Sequence, residues 1–250
     1  MGGASRAEKR RKQQQAEDTL RRAGITPPTR GRDNRRTTFI AAAVLAVVAL
    51  VVGVVVLVTR DSGGEEVAPT YPATAAGGVV TAGSGPIVVD VYEDFLCPVC
   101  ERFEERYGQE LTTALNEDRI TVRYHAVSIL DDLTEPPGYS TRAANANLCA
   151  TQAGVFPTYH ARLFDEQPAE GSAGLTDEQL VAFGTDLGVD IGACVAGAAN
   201  VADVVAATDA ARSNPAALNE EGRFGTPSVL LDGARVDITN TAWLQDALAR

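Results

Sequence analysis

No lysine follows Lys12 in this 250-residue sequence, and it contains only two histidines and four cysteines. The formal net charge is −11. So acidic a chain, without lysine over nearly all its length, is a poor nucleic-acid binder. A structural zinc site takes four Cys or His ligands. Apart from Cys97 and Cys100, only His125, Cys149, His160 and Cys194 remain, scattered without paired spacing, so no metal site is expected. No internal repeat is present. No second glycine lies four residues from Gly53, so the apolar run around it lacks the Gly-xxx-Gly dimer motif.

Long apolar runs are also scarce, with one exception. Residues 39–58 are all apolar or Gly, and at 1.5 Å per residue twenty such residues reach about 30 Å, the hydrocarbon thickness of a bilayer. This predicts one transmembrane helix. A cleaved signal peptide would have a shorter apolar stretch and a small-residue cleavage site after it, whereas Thr59 and Arg60 follow here. Residues 1–38 hold 11 of the 22 Lys and Arg but only 4 of the 33 Asp and Glu, a net of +7 that leaves −18 for the remainder. By the positive-inside tendency the basic tail is cytoplasmic and the bulk of the chain lies outside the cell membrane, held to the bilayer by a single pass.

Residues 59–86 are rich in Gly, Ala, Thr and Pro without periodicity and read as a flexible linker. The folded domain is expected at 87–250, an ordinary single-domain length. Residues 87–92, IVVDVY, read as a buried strand. Phe103, Tyr107, Leu111 and Leu115 then recur every four residues, a helical stripe, and 120–127, ITVRYHAV, reads as a second strand. A βαβ unit of this kind implies a parallel pair. Residues 140–221 read as helices, with a capping box at Thr176 and Gln179 and a break at Pro215. Ser228 to Leu231, Asp232-Gly233 and Ala234 to Val236 spell strand, two-residue turn, strand, and a helix with Trp243, Leu244 and Leu248 closes the chain. The expected fold is α/β: a thioredoxin fold with an inserted helical block, preceded by one transmembrane helix.

Cys97 falls where the first strand meets the first helix. Unpaired backbone N–H groups and the positive end of the helix dipole favour a thiolate there. Pro98 suits the first helical turn. Cys100 lies one turn on, within reach of Cys97, so the pair can close and reopen with little backbone motion. An inert bracing disulfide is the plainer alternative, but it leaves the position at a strand-to-helix junction unexplained.

Phe95-Leu96-Cys97-Pro98-Val99-Cys100, with Phe224-Gly225-Thr226-Pro227 before the late hairpin, resembles the DsbA-like branch of the thioredoxin superfamily. The stretch 139–168, YSTRAANANLCATQAGVFPTYHARLFDEQP, resembles that branch's helical insertion. The resemblance implies that Cys97 is an exposed nucleophile and Cys100 the buried resolving thiol. Pro227 would be a cis proline beside the sulfurs, with the Thr226 backbone pairing to an extended client segment. Pro98 and Val99 are the residues between the redox cysteines. Four cysteines permit three pairings and the sequence does not choose among them; the resemblance implies a structural disulfide between Cys149 and Cys194.

The implied activity is that of an extracytoplasmic thiol:disulfide oxidoreductase that introduces disulfides into exported proteins bearing free thiols. It uses no cofactor and works as a monomer. A membrane quinone-linked oxidase of the DsbB or vitamin K epoxide reductase type would re-oxidise it. A reductase or isomerase, or a tethered client-binding chaperone module with structural cysteines only, are the alternatives. Two positions depart from the family pattern. Relatives often carry a buried carboxylate six residues before the nucleophile, where this chain has Val91; Glu93 is a possible substitute, although a surface charge is the plainer reading. Val99 replaces a histidine found in strong oxidants, so a moderately oxidising protein is expected. His125 is expected in the core or at its rim, and His160 on a helix surface.

Overall fold

A computed structural model of the chain describes residues 67–249. The basic tail and the expected transmembrane span at 39–58 lie outside the described residues. Among the described residues, no helix is long and apolar enough to cross a membrane.

Six strands, β1 (Ala73–Ala76), β2 (Val79–Gly83), β3 (Ile87–Glu93), β4 (Ile120–Ala126), β5 (Ser228–Leu231) and β6 (Ala234–Arg235), form one sheet in the order β1-β2-β4-β3-β5-β6. β3 runs parallel to β4, from Ile87 opposite Ile120 to Glu93 opposite Ala126. On its other side β3 pairs antiparallel with β5, Val91 lying opposite Val229. A strand flanked on both sides and covered by helices buries both faces, which is why 87–92 is nearly all apolar. β4 alternates instead: Ile120, Val122, Tyr124 and Ala126 are buried and the residues between them are not.

The chain between β3 and β4 is helix α1 (Pro98–Asn116), whose buried face is Phe103, Tyr107, Leu111 and Leu115 together with Cys100 and Ala114. The inserted block between β4 and β5 holds α2 (Tyr139–Gln152), α3 (Phe156–Asp165), α4 (Asp177–Asp186), α5 (Gly192–Ala196) and α6 (Val201–Ser213). The capping box forms: Thr176 Oγ1 accepts from the Gln179 N–H, and Gln179 Oε1 accepts from the Thr176 N–H. α6 stops at Ser213 because Pro215, two residues on, cannot donate into the helical ladder and opens a short 3-10 turn. Asp232 and Gly233 both take positive φ, 50° and 83°, the requirement of the tight hairpin turn between β5 and β6. α7 (Trp243–Leu248) buries Trp243, Leu244 and Ala247 and ends the described chain.

One expectation is corrected. The stretch before Pro86 is not all linker: β1 and β2 make a hairpin that adds two strands to the sheet, β2 pairing antiparallel with β4. Its turn is Gly77-Gly78, both at positive φ. A Cβ on Gly78 would meet the Asp203 carbonyl oxygen at 2.4 Å, so α6 packs directly on the turn. Ala is a poor strand former by local preference, so ATAA carries little strand signal of its own; VVTAG pairs with the open edge of β4, and ATAA pairs with VVTAG in turn.

Candidate active site

The site grows from the end of β3. Glu93 is the last strand residue, and Asp94 turns the chain toward α1. Asp94 Oδ1 accepts from the Leu96 N–H at 2.9 Å and from Ser140 Oγ of α2 at 2.6 Å, and Oδ2 accepts from the Leu130 N–H at 3.0 Å. Its backbone carbonyl accepts from the Cys97 N–H at 2.9 Å. One buried carboxylate thus ties the segment before Cys97 to the inserted block and to the loop after β4. Burial pushes the Asp94 carboxyl up from 3.8 to about 6 against these hydrogen bonds, with the neighbouring Cys97 charge adding to the rise. Phe95 and Leu96 are completely buried beside it and anchor the turn in the core.

Cys97 is the N-cap of α1 and Pro98 opens the helix. The Cys97 carbonyl accepts from the N–H groups of Cys100 and Glu101 at 3.0 and 3.2 Å, and from Gln167 Nε2 at 3.3 Å. Cys97 Sγ lies 3.4 Å from the Thr226 carbonyl oxygen, in the loop where the Thr226–Pro227 peptide is cis. Ser228 Oγ holds that loop by donating to the Gly225 carbonyl at 2.6 Å, and Arg235 Nη1 donates to the same Ser228 oxygen at 3.0 Å. The geometry therefore joins Cys97, Cys100, Thr226 and Pro227, which are 130 positions apart at the extremes.

The two sulfurs, both free thiols here, are not equivalent. The Cys97 thiol is lowered from 9.0 to about 6: the Cys100 thiol's hydrogen bond contributes most, burial opposes it, and the Thr226 side chain and the Cys100 and Val99 N–H groups add to the lowering. Burial pushes the Cys100 thiol well above the ordinary range, and its hydrogen bond to Cys97 and the charge on that sulfur push it further. At neutral pH this is a thiolate beside a thiol, which is the arrangement a dithiol needs if one sulfur is to attack or leave and the other to resolve. The expectation of an exposed nucleophile needs correction: Cys97 is only 5% exposed against 0% for Cys100. The apolar exposed residue at the site is Val99, at 43%.

Cys149 of α2 and Cys194 of α5 form a disulfide, with an S–S distance of 2.01 Å and Cα atoms 5.9 Å apart. It braces the inserted block and takes no part in the Cys97 site.

Glu93 and His160 are both corrected. Neither is on the surface: Glu93 is 1% and His160 4% exposed, and Glu93 Oε1 meets His160 Nε2 at 2.6 Å. Burial pulls the His160 imidazole down, but the charge and hydrogen bond of Glu93 outweigh it and the imidazole sits above its usual 6.5. The rings of Phe95, Tyr124, Phe156 and Phe164 surround it, with centroids 4.9 to 5.7 Å away. His125, as expected, is at the rim, stacked on Tyr92 at 4.1 Å and bonded to Asp90 at 2.8 Å. Sequence reading passed over Asp94; its signal was an acidic residue three positions before the redox cysteine, between a strand and two large apolar residues.

The model of the family described as Thioredoxin matches residues 79–248. The chain belongs to that family. Among solved structures it is similar to the reduced form of the disulfide bond oxidoreductase DsbG of Mycobacterium tuberculosis, at 26% identity and a TM-score of 0.55 over 66% of this chain and 79% of that one. It is likewise similar to oxidised DsbA of the same organism, at 25% identity and a TM-score of 0.56 over 72% and 94%. The thiol-disulfide oxidoreductase MdbA of Corynebacterium diphtheriae shares the fold, with a TM-score of 0.62 at 21% identity over 73% and 96%. Among curated proteins it is similar to the serine/threonine-protein kinase PknE of Mycobacterium tuberculosis, at 28% identity over 173 residues, which are 66% of this chain. The chain spans about 30% of the length of these curated relatives. It is homologous to DsbA-like thiol-disulfide oxidoreductases.

Proposed function

We propose that the domain introduces disulfides into exported proteins through Cys97 and Cys100, tethered to the outer face of the cell membrane by residues 39–58. The observation that carries this reading is the split between the sulfurs, Cys97 lowered to about 6 and Cys100 raised. A thiolate that is stable in the reduced enzyme favours the reduced form, so the disulfide form is the better oxidant.

A client thiolate attacks Sγ of Cys97 in the Cys97-Cys100 disulfide. The S–S bond breaks, the electron pair goes to Cys100, which takes up a proton, and a mixed disulfide forms. A second client thiolate then attacks the client sulfur of that bond, and Cys97 leaves as a thiolate. The client ends with one disulfide and the enzyme with two more electrons, which pass to a membrane quinone-linked oxidase of the DsbB or vitamin K epoxide reductase type. A common bilayer raises the effective concentration of that oxidase. Exposed Val99 and the Thr226 carbonyl beside Cys97 offer an extended client segment an apolar contact and a backbone acceptor.

The test is the reduction potential of the pair together with oxidation of a reduced, unfolded client protein. A potential of about −120 to −180 mV, with client oxidation lost in Cys97→Ser, is expected. A potential near about −270 mV with no client oxidation would turn the reading toward a reductant of exported proteins.

A further inference from the structure

Behind the cysteine pair, three ligand atoms of Glu93, Glu104 and His160 lie within 4.8 Å of one another. They come from the end of β3, a half-buried position of α1 and the middle of α3, so the fold and not local sequence assembles them. Two of their oxygens are buried without any hydrogen-bond partner, Glu93 Oε2 and Glu104 Oε1. A buried acceptor left unpaired is costly, and Glu93 is nine-tenths buried and more.

The cluster opens on a pocket of about 350 Å³ between α1 and α3, lined by Glu104 and His160 and, further out, by Glu101, Glu105 and Asp165. Among the described residues no Lys or Arg lines it. Four carboxylates around one small pocket concentrate cations. We infer that Glu93, Glu104 and His160 form a binding site for a divalent transition-metal cation of the zinc class, with its remaining coordination position facing the pocket.

The donor chemistry selects the ion. Two carboxylates with a neutral imidazole balance a 2+ charge and give both unpaired oxygens a partner. An imidazole nitrogen suits Zn²⁺ and its transition-metal neighbours, whereas Ca²⁺ and Mg²⁺ take oxygen ligands. Bonds of about 2.1 Å in tetrahedral geometry set donors ~3.4 Å apart, so the 2.6 Å contact of Glu93 with His160 opens a little while Glu104 draws in. The pocket supplies water to the open position.

Zinc alone is the probe, added to the full chain in detergent with Cys97 and Cys100 oxidised, so that no free thiol competes. One equivalent is expected to bind in competition with a chromophoric chelator. Glu104→Gln and His160→Gln should each weaken it by at least about tenfold, while His125→Gln leaves it unchanged. X-ray absorption of the wild-type zinc complex needs no variant and should show only nitrogen and oxygen neighbours, including one imidazole. No stoichiometric binding, binding indifferent to both substitutions, or a sulfur neighbour would overturn the assignment.

Discussion

Replacing Cys100 by alanine isolates the largest cause of the Cys97 thiolate. The Cys100 thiol is the foremost of the groups that bring Cys97 from 9.0 to about 6. Hydrogen bonds to charged groups contribute about 1.5–3 kcal/mol, and a sulfur donor belongs at the low end. At 1.36 kcal/mol per unit, losing about 1.5 kcal/mol lifts the Cys97 pKa to about 7. At pH 6 the thiolate fraction then falls from about one half to about one tenth.

The rate of alkylation is a poor reporter of this change by itself. A more basic thiolate is intrinsically more nucleophilic, with a Brønsted coefficient of about 0.4–0.5, so the plateau at high pH rises about threefold as the midpoint moves. The midpoint of the iodoacetamide rate-pH profile, with ultraviolet thiolate absorbance as a second readout, is therefore the quantity to compare. Cys100→Ser keeps an O–H donor and should move the midpoint by less than half as much as Cys100→Ala. A midpoint in the alanine variant at or below that of the wild type would refute the reasoning and leave the helix N-terminus and Thr226 as the source of the lowering.

Further outcomes follow from the same groups. The reduction potential should fall by about 59 mV per pH unit where reduction takes up two protons and by about 30 mV where it takes up one; a plot from pH 5 to 9 should bend near pH 6, the position of Cys97, and a straight line would contradict the split between the sulfurs. The folded Asp94 carboxyl sits above its ordinary 3.8, at about 6, so its contribution to stability is complete below about pH 3.8 and is lost as pH rises to about 6, on the order of 3 kcal/mol at most. Asp94→Asn should abolish that part of the pH dependence in urea unfolding and, by turning an amide N–H toward the Leu130 N–H, cost about 1–3 kcal/mol at pH 7; identical pH slopes in the two proteins would exclude this role. Replacing Cys149 and Cys194 by serine opens a loop of 45 residues, worth up to about 4 kcal/mol in chain entropy. Thermal unfolding should drop by about 8–16 °C, with client oxidation unchanged.

The elements that were legible in the sequence carry their own signals. The apolar recurrence from Phe103 to Leu115, the Thr176-Gln179 box, the Asp232-Gly233 turn and the cysteine at the strand-to-helix junction are all patterns within a few residues, set by backbone hydrogen bonding and side-chain period. From them came the βαβ start, the inserted helices, the closing hairpin and the redox pair.

What tertiary structure decided lies in contacts between distant residues. Val79–Gly83 joins the sheet because the β4 edge offers it a partner, and Ala73–Ala76 because β2 then does, the Ala-rich first strand against its own local preference. Cys149 meets Cys194, one of three possible pairings, because α2 and α5 pack together. Polarity alone places Glu93, Asp94 and His160 in water; α2 and α3 fold over the end of β3 and bury all three. Once there, Glu93 pairs with His160, and Asp94 accepts from the Leu96 and Leu130 N–H groups and from Ser140. A residue's character is local, but its burial depends on which element covers it, and only the assembled fold sets that.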